Sequence, residues 1–382
     1  SYYDMEDKMK LAIIGQKGIP SRAGGVEIHV EEIASRLACY GENVTVYCRE
    51  SYCEEKYDKY KGINIKYIPS INTKHLDAIT YTFLATIDAI KSKSDIIHYH
   101  ALGPSLLSFI PRIFGKKVIV TSHGLDWKRE KWGIAGRLAL KLGEIASIKF
   151  PHKTISVSKS MVKYYKEKYK NTDIIYIPNG IDEKKNLVPN KIKEKFNLEK
   201  DQYILFLARL VPEKGAHYLI DAFKNLETSK KLVIAGGSSH SDDYVNELKE
   251  KAKDNPNIIF TGFVTGDLVD ELFTNAYLYV LPSEIEGLPI SLLGAMAYGQ
   301  ACLVSDIEEN LEVVEKNAMY FKSKDTSDLE KQLKTLISNK ELVNNYKAAS
   351  KDFILKKYNW DDVAIKTREV LNSLVSKKID SN

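Results

Sequence analysis

The chain has 382 residues, 44% of them hydrophobic and 28% charged, with a formal net charge of +5. That length holds two domains of ordinary size, and the composition excludes an intrinsically disordered chain. The positive charge is too slight for a dedicated nucleic-acid binder; it suits an anionic small molecule or contact with an anionic membrane surface.

The first eight residues, SYYDMEDK, lie before a natural-looking start at Met9 and read either as an added, non-native extension or as a short disordered leader. Short β-rich runs then alternate with helical stretches. The first half gives KLAIIG (10–15), NVTVYC (43–48), INIKYI (63–68), DIIHYH (95–100), KVIVTSHG (117–124), KTISVS (153–158) and DIIYIPNG (173–180). The second half gives YILFLARL (203–210), KLVIAGG (231–237), NIIFTGF (257–263), AYLYVLPS (276–283) and ACLVSD (301–306). Amphipathic helical patterns such as GGVEIHVEEIASRLACYG and GAHYLIDAFKNLE lie between them. Near-continuous apolar strands separated by helices predict parallel sheets buried on both faces, here two doubly wound α/β sheets in succession. Residues 182–202 are charged, contain proline and lack β-branched runs, which predicts the linker. The N-terminal domain is expected over 9–187, completed by a C-terminal helix at 357–380, and the second domain over 188–356. No apolar run approaches the ~20 residues that span a bilayer and no signal peptide is visible, so a cytoplasmic protein is expected. Cys39, Cys48, Cys53 and Cys302 form no C-x-x-C pair and no zinc spacing, and read as unpaired thiols.

Ligands of open α/β sheets bind beyond the carboxyl ends of the strands, so the residues directly after strands are the candidates. Gly15, Gly18, Gly24 and Gly25 surround a loop that enters a helix near Gly25. Such a turn either lets backbone N–H groups meet a phosphate or is simply a tight strand-to-helix connection. It is neither G-x-G-x-x-G nor a P-loop. His100 and His123 end successive strands, and His123 is followed by Gly124, Asp126 and Trp127, a set suited to sugar hydroxyls. His98 reads as structural. Arg209 and Lys214 lie between a strand and a helix start, where two cations and the helix dipole can hold a diphosphate. Glu286 follows the strand AYLYVLPS, and Gly294 sits inside the next helix at a cost of about 1 kcal/mol relative to alanine.

Taken together, GGVEIHVEEIASRL, DIIHYHAL, TSHGLDW, YIPNGID, ARLVPEKGAHYLIDAF, LVIAGG, IIFTGFV, PSEIEGLPISLLGAMAYG and YNWDDVA resemble the retaining glycosyltransferases of family 4 over residues 9–375. The stretch GIPSRAGGVE is similar to a subgroup containing rhamnosyltransferases of bacterial surface polysaccharides. The resemblance implies the GT-B fold, two Rossmann-like domains facing a cleft, and transfer of a hexosyl or deoxyhexosyl group from a nucleotide sugar, UDP- or dTDP-linked, to a saccharide or lipid-linked acceptor. It implies that Arg209 and Lys214 neutralise the donor diphosphate, and that Gly24 and Gly25 face the phosphates from the other domain. His123 and Glu286 meet the donor sugar, with backbone at Gly287, Leu288 and Pro289 in the same loop. Gly262 and Phe263 meet the nucleobase, His100, Asp126 and Trp127 the acceptor, and a helix at Trp360 returns to the first domain. No D-x-D triplet is present, so no cofactor and no metal bound through that motif are expected. The family's second glutamate, a ribose ligand, is Gly294 here, and a catalytically weakened or inactive nucleotide-sugar-binding relative is the competing reading. The segments 105–117 and 128–150 combine apolar and basic residues, which predicts either helices packed on the sheet or peripheral contact with the inner face of the plasma membrane.

Overall fold

The structure, a computed structural model, describes residues 8–21, 24–69, 71, 73, 76–124, 133–170 and 173–375. The described residues form two compact units. The first runs to Gly180 and takes back the chain from Asn359; the second is Ile181–Tyr358. The divisions therefore fall a few residues from the expected 187/188 and 356/357.

The first unit contains β1 (Lys10–Ile14), α1 (Gly25–Cys39), β2 (Asn43–Arg49), β3 (Lys59–Tyr60), β4 (Ile63–Ile68), α2 (Asp77–Lys91) and β5 (Ile96–His100). It continues with α3 (Leu102–Ser105), α4 (Phe109–Ile113), β6 (Lys117–Ser122), α5 (Ile134–Lys149), β7 (Lys153–Ser156), α6 (Lys159–Lys168) and β8 (Ile174–Tyr176). The sheet order is β3-β4-β2-β1-β5-β6-β7-β8, parallel except for the β3–β4 hairpin. Both faces are covered. Leu11 and Ile13 join Val30 and Leu37 of α1 on one face, while Ala12 and Ile14 join Tyr81, Ala85 and Ala89 of α2 on the other.

The second unit contains α7 (Lys191–Phe196), β9 (Tyr203–Leu207), α8 (Ala216–Lys224), β10 (Lys231–Ala235), α9 (Asp242–Ala252), β11 (Ile258–Gly262), α10 (Asp267–Asn275) and β12 (Leu278–Leu281). After these come α11 (Ile290–Ala297), β13 (Cys302–Ser305), α12 (Glu308–Val314), β14 (Met319–Phe321), α13 (Thr326–Ser338) and α14 (Lys340–Lys357). Its sheet, β11-β10-β9-β12-β13-β14, is parallel throughout. Finally α15 (Trp360–Val375) belongs to the first unit: Trp360, Val363, Ala364 and Leu371 enter the core beside α1, and Arg36 pairs with Asp361 at 2.8 Å.

The segment 182–202, expected as linker, carries α7 and lies in the second unit. Its lysines face water, but Ile192 is buried, and the N–H groups of Asn190 and Ile192 both donate to Glu271 Oε1 on α10. The charged composition marks the exposed side of a docked helix.

In each sheet the strand order reverses at one seam, between β1 and β5 in the first unit and between β9 and β12 in the second. The backbones come close there. A Cβ on Gly15 (φ +133°) would lie 2.2 Å from the His100 carbonyl oxygen, and one on Gly215 (φ +77°) 2.1 Å from that of Pro282. Around Gly294, by contrast, an added Cβ meets nothing within 4 Å. Gly215→Ala is therefore expected to lower the unfolding free energy by about 2 kcal/mol or more, from the positive φ and the clash together. Gly294→Ala is expected to raise it by about 0.5–1 kcal/mol through helix propensity. Chemical denaturation of the two variants checks this; equal effects at the two positions would contradict the close approach at Gly215.

Candidate active site

In the first unit the seam carries a cluster of imidazoles. His100 closes β5, and its register partner on β6 is Thr121, so His123 emerges beside it. His100 Nδ1 and His123 Nε2 are 3.0 Å apart and share a hydrogen bond. His29 reaches the same point from α1, its ring centroid 4.9 Å from that of His123 and 5.4 Å from that of His100. The Nδ1 of His29 is hydrogen-bonded to Asn179 Oδ1, and Trp360 of α15 packs edge-on against the His29 ring at 5.7 Å. His98, read from the sequence as structural, bonds Thr121 Oγ1 at 2.7 Å and lies under His100. Burial pushes the His29 imidazole down to about 4 and, with help from His29, that of His98 to about 3. Burial likewise holds His100 and His123 well below the ordinary histidine value. All four are neutral at physiological pH, so each ring offers one donor and one acceptor.

The glycine loop between β1 and α1 is held by the helix it enters. Glu27 Oε1 accepts the Lys17 N–H at 3.1 Å, and Glu31 Oε1 accepts that of Ser21 at 3.2 Å. Those two donors are thus engaged by carboxylates, and the start of α1 at Gly24 and Gly25 presents backbone N–H groups of the kind that suit an anion. Sequence reasoning missed His29, Asn179, Glu27 and Glu31. Only His29 left a signal, one helical turn after Gly25 on the same face.

In the second unit the seam joins two segments 72 residues apart. Pro212–Lys214 forms a 3₁₀ turn between β9 and α8, and residues 282–289 connect β12 to α11. Lys214 Nζ donates to both oxygens of Glu286, at 2.8 and 2.9 Å. The Glu284 N–H donates to the Glu213 carbonyl at 2.8 Å, Tyr218 O–H donates to Glu284, and Ser305 Oγ donates to the Ser283 carbonyl at 2.6 Å. The loop is therefore clamped on both sides. Glu286 is only 5% exposed and Lys214 17%, so their charges are largely withdrawn from water and satisfied by each other. Arg209, two residues past β9, is exposed.

Gly287 and Leu288 continue the clamped loop, and the Pro289 carbonyl accepts the first α11 bonds from Leu292 and Leu293. Gly294 is buried within α11. Gly262 ends β11, and Phe263 beyond it is exposed. Asp126 and Trp127 lie outside the described residues. The structure thus brings Lys214 to Glu286 and His100 to His123.

Comparison with known proteins covers both units. A family model described as "Glycosyltransferase Family 4" matches residues 23–185, and one described as "Glycosyl transferases group 1" matches 188–372. An uncharacterized glycosyltransferase of Methanocaldococcus jannaschii is 26% identical, covering 95% of this chain and 97% of its own. The UDP-Gal:α-D-GlcNAc-diphosphoundecaprenol α-1,3-galactosyltransferase of Escherichia coli is 30% identical over 58% of this chain and 60% of its own. Among solved structures, sucrose-phosphate synthase from Thermosynechococcus elongatus superimposes with a TM-score of 0.84 at 17% identity, covering 97% of this chain and 100% of that one.

The buried imidazoles give a pH signature. Their folded-state values lie below the ordinary 6.5, so the unfolded chain binds more protons as pH falls. Stability is fully present above pH 6.5 and is lost progressively from there down towards 4, each histidine contributing a slope of up to about 1.4 kcal/mol per pH unit. Urea denaturation at pH 7.5, 6.0 and 5.0 should show this fall, and His98→Gln should make it shallower. A midpoint unchanged from 7.5 to 5.0 would contradict neutral buried rings.

Proposed function

The chain belongs to the family 4 glycosyltransferases, and from that premise we propose that it is a retaining transferase acting in surface polysaccharide synthesis. It moves a hexosyl or deoxyhexosyl group from a UDP- or dTDP-sugar to a saccharide or lipid-linked acceptor. The observation that carries this reading is the Lys214–Glu286 pair at the β9–β12 seam, with Arg209 beyond the same strand. Breaking a glycosyl–phosphate bond builds negative charge on the departing diphosphate, and fixed cations aimed at that charge stabilise the transition state. Lys214 exchanges its partner Glu286 for diphosphate oxygens, and the freed carboxylate accepts bonds from the sugar's hydroxyls. Arg209 adds a second cation. Within the first unit taken by itself, the start of α1 offers backbone N–H groups suited to an anion, and His123, neutral and hydrogen-bonded to His100, suits a sugar hydroxyl. The departing phosphate takes the acceptor's proton on the face it leaves, which gives retention without a protein nucleophile. Phe263 and Gly262 meet the base. The nucleotide-sugar donor and the lipid-linked acceptor in the name of the E. coli relative support this choice of substrates.

The first unit also fits a lipid-linked acceptor. Most exposed large apolar side chains of the described residues lie between positions 71 and 145. On α5, Ile134 (90% exposed), Leu138, Leu142 and Ile145 form one stripe, flanked by Arg137, Lys141 and Lys149. Phe109, Ile113 and Phe114, on and just after neighbouring α4, extend it; Phe109 packs against Phe150 at 5.4 Å and Arg112 bonds the Phe150 carbonyl. Glu144, the acidic residue within α5, is buried and paired with Lys168. An apolar stripe edged by cations is what an anionic bilayer surface binds. Among the described residues no helix is long and apolar enough to cross a membrane.

Three measurements test these readings. A nucleotide-release assay across UDP- and dTDP-sugars should show turnover, and Lys214→Met or Glu286→Gln should lower kcat/KM about 10²–10³-fold; no release from any donor would remove the transfer reading. Gly294→Glu, into open space, should tighten donor binding ten- to a hundredfold, from one charged hydrogen bond worth about 1.5–3 kcal/mol. Phosphatidylglycerol vesicles should pellet the protein at low salt and release it at high salt. Leu138→Gln with Leu142→Gln should abolish pelleting, and failure of the unmodified chain to pellet at any salt would end the membrane proposal.

A further inference from the structure

We propose that His29, His100 and His123 form a binding site for one divalent transition-metal ion, Zn²⁺ foremost, and that the ion acts as an inhibitor. Each ring offers one ligand nitrogen, and these atoms all lie within 4.8 Å of one another. They come from three separate places in the first unit, α1, β5 and the residue directly after β6, so the spacing is fixed by the fold and not by one flexible segment. Zinc–imidazole bonds of about 2.0–2.1 Å at tetrahedral angles place ligand nitrogens about 3.4 Å apart. The 3.0 Å separation of His100 Nδ1 and His123 Nε2 is close to that already.

The chemistry of the rings also fits. An amide oxygen only accepts, so Asn179 Oδ1 fixes the His29 proton on Nδ1 and leaves Nε2 with its lone pair available. A histidine ligand whose other nitrogen is held by an oxygen acceptor is the usual arrangement around protein-bound zinc. The His100–His123 hydrogen bond needs a proton on one of its two nitrogens. On metal binding that proton moves to the other nitrogen of the same ring, with no net change in charge. The candidate set contains imidazoles and no carboxylate, which favours Zn²⁺, Ni²⁺ or Cu²⁺ over Mg²⁺ or Ca²⁺. Of the three residues only His123 keeps some solvent exposure.

The site needs no D-x-D motif and is separate from the expectation of a metal-independent reaction. Under the function proposed above, His123 bonds a sugar hydroxyl; an ion that binds His123 withdraws it, so metal and sugar compete for that ring. Metal binding itself is measured without any nucleotide, so its failure would leave the transferase reading standing.

The full chain, stripped with a chelator, is titrated with Zn²⁺ against a chromophoric competitor. One equivalent should bind, and Co²⁺ should give the intense visible bands of a tetrahedral site. His29→Gln and His100→Gln should each weaken binding at least tenfold, while His98→Gln should keep it, with circular dichroism in chelator verifying that the variants fold. A measurement without variants supports these: Zn²⁺ should shift the imidazole nitrogen resonances of His29, His100 and His123 and leave that of His217 in place. No saturable binding, unchanged affinity in both cluster variants, or shifts confined to other histidines would overturn the proposal.

Discussion

Close backbone approach at the strand-order reversal governs both halves of this protein. Where β1, paired with β2 on one side, meets β5 on the other, the strand order reverses, helices leave in opposite directions and the carboxyl ends are uncovered. The same holds between β9 and β12. Gly15 against His100 and Gly215 against Pro282 let the two strand ends sit near enough for their following residues to meet. A side chain at either glycine would push the ends apart and with them His123 from His29, or Lys214 from Glu286.

That geometry makes charge affordable in a confined place. Lys214 and Glu286 each lose much of their hydration, and removing one partner of a fully buried pair costs about 3–5 kcal/mol. The residual exposure of Lys214 reduces that figure here. The pair therefore holds the loop in a fixed shape, and under the proposed function a diphosphate replaces one good partner with another. The histidine cluster solves the opposite problem. Packed rings cannot all carry charge, so burial keeps them neutral, and their alternation of donors and acceptors decides what they bind.

Much of the fold was legible in local pattern. The expected strands at 10–15, 203–210 and 231–237 correspond to β1, β9 and β10, because central strands buried on both faces are apolar at nearly every position. The short β3 and β14 were not foreseen: two or three residues at a sheet edge leave no periodicity to read. The helix α7 was concealed by its own lysines, since a single buried isoleucine anchors it. At the site, Lys214, Glu286, His100 and His123 were visible as polar residues directly after strands. Glu284, Tyr218 and Asn179 were not, because their importance lies wholly in what they touch.

The sequence by itself determined the alternation of strands and helices, the presence of two sheets and the residues at the strand ends, all consequences of short-range burial. Tertiary structure alone decided which of those ends are neighbours. Sheet order is a long-range property: β1 pairs with β5 across the whole of α2, and β9 with β12 across three intervening helices. Only that order places His29, His100 and His123 together and gives Lys214 its carboxylate.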